Sequence, residues 1–171
     1  MKKIFLFCII CIANFATTAQ VNDELQPAYL RITNVPPFKL LVAPDSTLFE
    51  KINLKKRKPT IIMVFSPDCD HCIISTQNLI ANYKLFKKVQ IILATSSPFA
   101  NVNKFYTDLN LANYPNIKVG QDNTYFLGQF FSVRSFPSIY LYDKKGNFKK
   151  YFDSNSPVFA TGTPKPKIQI F

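Results

Sequence analysis

The chain has 171 residues, 47% hydrophobic and 18% charged, which excludes a disordered polymer and fits one globular domain. Its 17 Phe and 8 Tyr, with no Trp, point to a core rich in aromatic rings. The net charge of +11 reads as a solvated surface that steers acidic partners, and not as a nucleic-acid site.

Residues 1–19 have the pattern of a secretory signal peptide. Met1-Lys2-Lys3 is a basic start, residues 4–13 are an apolar run too short to span a bilayer, and Thr17-Thr18-Ala19 offers small residues for cleavage before Gln20. Removal takes away two lysines and no acid, leaving a net charge of +9. Cys8 and Cys11 have C-x-x-C spacing but lie in the apolar run and leave with it. Phe7 and Ile10, which precede them, do not suit a lipid-anchored start; an uncleaved anchor is the alternative. The expectation is an exported protein, periplasmic or in the cell envelope, with no stable membrane span after signal removal and no nucleic-acid partner. Two cysteines then remain, Cys69 and Cys72, which in an oxidising compartment pair with each other or with a partner's thiol.

Residues 20–35 read as a polar lead-in. A strand is predicted over 38–42, a turn at Ala43-Pro44-Asp45-Ser46, and a returning strand over 47–54, so that a hairpin covers one sheet edge. Lys55-Lys56-Arg57-Lys58 reads as a solvated basic loop. Residues 60–65 form an apolar run bounded by Lys58-Pro59 and Ser66-Pro67, the pattern of a buried strand. A helix follows over about 69–84, with Cys72, Leu79, Ile80 and Tyr83 on one face, so Cys72 points inward and Cys69 sits at the tip. A second buried strand is predicted over 89–95 and a helix over 99–109, with Val102, Phe105, Tyr106 and Leu109 spaced for one face. A short strand over 117–119 precedes a short helix through Phe131 that Asp122 or Asn123 caps. Phe126, Phe130 and Phe131 are candidates for an apolar wall by the site or for core. Strands over 138–142 and 148–152 flank a turn at Asp143-Lys144-Lys145-Gly146-Asn147. Residues 154–171 read as a tail.

Strand, turn and two cysteines at a helix start make a reactive thiol for a physical reason. Free N–H groups in the first turn of a helix, with the positive end of its dipole, stabilise a thiolate, and the C-x-x-C spacing brings a second sulfur within reach. Half of a zinc site and a plain structural disulfide are the alternatives. A zinc site wants two such pairs or two histidines, and the chain has one His, His71, inside the motif. No metal and no cofactor are expected. His71 favours the Cys69 thiolate, or is a solvated ring with no fixed role; Asp68 and Asp70 flank Cys69 and oppose the thiolate. These three are the candidate redox-tuning residues.

The order strand, helix, strand, helix, helix, hairpin, with F-S-P-D-C-D-H-C upstream of V-R-S-F-P-S-I-Y-L-Y-D-K-K-G-N, resembles the thioredoxin fold. The extra N-terminal strands and the helical insertion before the hairpin resemble the TlpA/ResA-type exported thiol-disulfide oxidoreductases. The resemblance covers residues 36–153. It implies an α/β, three-layer fold with a mixed central sheet flanked by helices, and catalytic Cys69 and Cys72. It also implies a cis Pro137 beside the reactive cysteine, with the Phe136 backbone turned outward to bind substrate; an ordinary Pro at a strand start is the other reading. Protein disulfides or thiols are the implied substrates and a membrane electron donor the implied source of reducing equivalents, with a lean toward reductase. The chain departs from the family pattern by having Ser66-Pro67-Asp68 where an aromatic residue commonly precedes the first cysteine, and Met63 among the strand positions where an acid can sit. Proton transfer to Cys72 then falls to water, His71 or another group. A copper carrier using Cys69, Cys72 and His71, and a non-catalytic binding module with an inert disulfide, are the alternatives from other classes.

Overall fold

The computed structural model describes residues 26–154. The predicted signal peptide over 1–19, the first part of the lead-in and the tail from 155 lie outside them. Seven strands form one mixed sheet in the order β2-β1-β5-β4-β3-β6-β7. The elements in chain order are α1 (Ala28–Arg31), β1 (Lys39–Val42), β2 (Thr47–Glu50), β3 (Thr60–Val64), α2 (Asp70–Ala81), α3 (Tyr83–Phe86) and β4 (Gln90–Thr95). They continue with α4 (Phe99–Asp108), β5 (Ile117–Gln121), α5 (Phe126–Phe130), β6 (Ser138–Tyr142) and β7 (Phe148–Phe152). Strands β3, β4 and β5 are parallel neighbours; β6 runs antiparallel to β3, and β1 antiparallel to β5.

The sheet sits between helices because β3 and β4 are buried on both faces. All residues of β3, β4 and β6 are buried, as continuous Ile, Val and Leu runs require. Register sorts their side chains into two layers. Ile61 pairs with Ile91 and Leu141, and Ile91 with Ile117; Met63 pairs with Leu93 and Ile139, and Leu93 with Val119. This layer packs against Cys72 and Leu79 of α2, Phe86 of α3 and Val102 and Phe105 of α4. On the opposite face, Ile62, Val64, Ile92, Ala94, Tyr140 and Tyr142 meet Phe38, Leu40 and Val42, with Leu127, Phe130 and Phe131 from around α5. The aromatic content predicted for the core concentrates here: the Phe131 and Tyr140 rings stack with centroids 3.6 Å apart, and Tyr29 packs edge-on against Tyr140 and Phe148 at 5.3 Å.

Local differences from the expected elements have local causes. The strand expected to run to residue 54 ends at Glu50, where a reciprocal cap with Asn53 starts a 3-10 turn over Lys51–Asn53. The helix expected through residue 84 breaks at Asn82, whose side chain donates to Asn78 O at 2.9 Å, and resumes as α3. Asp122 does cap α5, but from outside the first turn: it accepts from Phe126 N–H at 3.1 Å and Leu127 N–H at 2.7 Å across a left-handed Tyr125. Asp143 closes the β6–β7 turn by accepting from Lys145 and Asn147 N–H at 2.8 and 2.9 Å. The Asn147 N–H first, then the Lys149 ammonium 3.1 Å from Oδ2 and the Lys145 N–H, hold its carboxyl down at about 2.

Strand β1 approaches β5 closely where Gly120 faces Val42. A Cβ at Gly120 would fall 2.9 Å from Leu40 Cβ and 3.0 Å from Leu41 O. Gly120→Ala is expected to force the β1–β2 hairpin outward and cost about 1–3 kcal/mol, read as a lower urea midpoint at unchanged slope.

Candidate active site

The site is built where β3 ends. Phe65 continues the ladder with its N–H on Ala94 O at 3.0 Å, and the chain then turns through Ser66, Pro67 and Asp68. Cys69 N–H closes that turn on Ser66 O at 3.2 Å, and Cys69 becomes the N-cap of α2. Its own sulfur fills the capping role that Ser or Asp usually takes: Sγ accepts from Cys72 N–H at 3.4 Å. Cys69 is half-buried and Cys72 is fully buried, both as free thiols.

The second wall comes from the far end of the sequence. Antiparallel register places Val64 opposite Ser138, so the residues just before β6 arrive beside the residues just after β3. Cys69 Sγ donates to Phe136 O at 3.7 Å, across 67 positions of sequence. The Phe136–Pro137 peptide bond is cis. Pro137 is buried, while the Phe136 side chain is 37% exposed beside the cysteine. Ser138 Oγ donates to Ser135 O at 2.8 Å and ties this loop to the strand that follows.

Burial pushes the Cys72 thiol well above its ordinary value of 9.0; its hydrogen bond with Cys69 adds to this, and a Ser66 backbone hydrogen bond opposes it. The two sulfurs therefore differ in kind: Cys69 can be reached from solvent and Cys72 is a neutral thiol sealed within the core layer on its side of the sheet.

No family model matches the sequence, and no curated protein matches it. Solved structures do. The chain is similar to a putative thioredoxin from Neisseria meningitidis, with a TM-score of 0.57 and 23% identity over 71% of this chain and 79% of that one. It is similar to a secreted Mycobacterium tuberculosis disulfide oxidoreductase homologous to E. coli DsbE, with a TM-score of 0.58 and 16% identity over 68% and 83% of the two chains. It is also similar to the thioredoxin domain of a thiol-disulfide oxidoreductase from Bacteroides vulgatus, with a TM-score of 0.59 and 16% identity over 74% and 88%. The fold is thioredoxin-like.

The thioredoxin-like fold gathers Cys69, Cys72, Phe136 and Pro137 at one point. Asp70 and His71 stand exposed in the first turn of α2, and Asp68 is exposed on the turn before it. Asp68 also lines a cavity of about 290 Å³ between α2 and α4, with Pro67, Ile73, Gln77 and Phe105 among its walls. Phe130 and Phe131 are core on the sheet face away from Cys72, so they are not a wall of the site. The resemblance places Pro137 beside the reactive cysteine; the hydrogen bond of Cys69 to the Phe136 carbonyl is the added detail, and the register of β6 on β3 produces it. Among the described residues no group of three or more His, Cys, Asp or Glu could hold a metal ion, and no helix is long and apolar enough to cross a membrane.

The buried Cys72 thiol makes a pH prediction. Its folded value is raised, so its contribution to stability is full below the unfolded value of 9.0 and is lost as pH rises above it. The reduced protein should lose stability above pH 9 with a slope steeper than that of Cys72→Ala by up to about 1.4 kcal/mol per pH unit. Urea unfolding of both proteins between pH 8 and 10.5 checks this. Tyr140 and Tyr142, also raised by burial, act in both proteins and cancel.

Proposed function

We propose that the chain is an exported thiol-disulfide oxidoreductase acting on protein disulfides through Cys69 and Cys72, with reduction of the substrate as its direction. The observation that carries the reading is the asymmetry of the pair: a half-exposed sulfur receives a helix-start N–H at 3.4 Å, and its partner is sealed beneath it. A donor in that place favours the anionic sulfur that attacks a disulfide. The similar proteins from M. tuberculosis and B. vulgatus, named as disulfide oxidoreductases, support the same chemistry. The signal-like residues 1–19 support export.

In the reaction, Cys69 thiolate attacks one sulfur of a substrate disulfide. A Cys69–substrate disulfide forms, the substrate S–S bond breaks, and the other substrate sulfur leaves as thiolate and takes a proton. Cys72 then gives up its proton to water or to a departing thiolate and attacks Cys69 Sγ. The Cys69–Cys72 disulfide forms and the substrate's second thiolate leaves. The substrate gains two electrons and the cysteine pair loses them, so a donor must restore the pair; a membrane electron donor fits an exported protein. The Phe136 backbone, next to Pro137 and against Cys69, is where an extended substrate segment would lie, with the exposed Phe136 ring as an apolar contact.

A soft-metal carrier would use the same thiolates, and among the described residues no third ligand joins them. An inert module would have no need of a solvent-reachable Cys69.

Cys69→Ser is expected to reduce turnover of an insulin-type disulfide assay to background. Cys72→Ser should instead complete the first step and accumulate mixed disulfides, visible by mass spectrometry; no adduct with any disulfide substrate would overturn the assignment. The reduction potential should lie nearer the roughly −270 mV of thioredoxin than the roughly −120 mV of DsbA. Because Asp68, Asp70 and His71 are solvated, Asp68→Asn with Asp70→Asn should raise that potential by less than about 20 mV, as exposed charge pairs are worth little.

A further inference from the structure

At the amino ends of the parallel strands, on the pole away from the cysteines, a cavity of about 240 Å³ opens. Four lysines line it, Lys55, Lys58, Lys87 and Lys118, and no carboxylate does. None of the four forms a salt bridge among the described residues, where the salt bridges use Lys39, Lys104 and Lys149; Lys118 has a carboxylate, Asp45, within electrostatic reach. Lys56, Arg57 and Lys88 stand exposed in the same loops, just outside the lining. Leu54, Val89 and Ile92 supply apolar wall.

These loops are held in place by two amide side chains. Buried Gln90 accepts Lys55 N–H through Oε1 at 2.6 Å and donates Nε2 to Lys55 O at 3.1 Å and to Thr60 Oγ1 at 3.3 Å. It thereby clamps the 55–58 loop to the start of β4. Asn116 donates Nδ2 to Phe86 O at 3.0 Å and Val89 O at 2.8 Å, closing the turn that carries Lys87 and Lys88. Asn116 also lines the cavity, and its Oδ1 is buried without a hydrogen-bond partner. Four lysines and no carboxylate in one lining give the cavity a positive field, and lysine takes phosphate as a point charge from any direction.

We propose that this cavity binds a phosphate ester, the phosphate among the lysines and the ester's carbon skeleton against the apolar wall. A soluble ester and a lipid headgroup present the same chemistry, and the test separates them. The full chain, and its Cys69→Ser variant, are titrated with sn-glycerol 3-phosphate by calorimetry. In parallel both are sedimented with phosphatidylcholine vesicles with and without phosphatidylglycerol. Lys58→Gln with Lys87→Gln is expected to weaken binding about tenfold or more. Lys144→Gln with Lys145→Gln removes the same charge at the β6–β7 turn and should leave it within about twofold. Saturable one-to-one binding of glycerol phosphate with this pattern assigns a soluble ester. Retention on phosphatidylglycerol vesicles alone, with the same pattern, assigns a lipid headgroup. No saturable binding in either arm, or equal loss in both double variants, overturns the proposal. Cys69→Ser should bind as the parent does, so the outcome is independent of the exchange chemistry. The double variant is expected to melt no lower than the parent, since it loses only exposed like charges.

Discussion

Everything at the candidate site depends on the pairing of β3 with its two neighbours. β3 is hydrogen-bonded to parallel β4 on one side and antiparallel β6 on the other, and every one of its residues is buried. A strand locked in this way cannot shift by a residue without turning its whole apolar set to the wrong face. Its exit point is therefore fixed, and with it the turn at Ser66–Asp68 and the start of α2. The same register brings Ser138 opposite Val64, so sheet pairing carries the Phe136 carbonyl to Cys69, where the Cys69 thiol donates to it. One constraint thus places both halves of the site, which come from segments 67 positions apart.

The division of labour between the two sulfurs follows from helix geometry. Cys69 is the N-cap of α2 and Cys72 its third helical residue, so a spacing of three turns the second side chain under the first, toward the sheet. There Cys72 joins the apolar layer of that sheet face. Replacing a core methyl group by a thiol costs little while the thiol is neutral, since a neutral thiol behaves as a small apolar group. Ionising it in that layer is costly, which is why burial dominates its raised value. Packing and chemistry are set here by the same contacts.

What could be read from sequence alone divides along local and non-local lines. β3 and β4 were legible because Ile61-Ile62-Met63-Val64 and Ile91-Ile92-Leu93-Ala94 admit few alternatives between their flanking turn residues. The inward turn of Cys72 was legible because helical period fixes it. The break of the helix at Asn82 was not, since an Asn side chain bonding back to Asn78 O competes with propensity only once the helix is there. Asp122 read as a cap and acts as one, but its burial and its reach past a left-handed Tyr125 required the tertiary fold. Gln90 and Asn116 left no signal of their roles: each is a single amide at or just before the start of a strand, and its role depends on carbonyls 27 to 35 positions away.

Parallel strands also give the molecule two poles that are chemically distinct. Cys69, Asp68 and Asp70 lie beyond the carboxyl end of β3, whereas Lys55, Lys58, Lys87 and Lys118 gather near the amino ends of β3, β4 and β5. Five residues of strand separate them, about 17 Å at the usual rise, which is about twice the physiological Debye length of roughly 8 Å. The lysine pole and the C-x-x-C motif thus lie at opposite ends of β3, with the fully buried central strands between them.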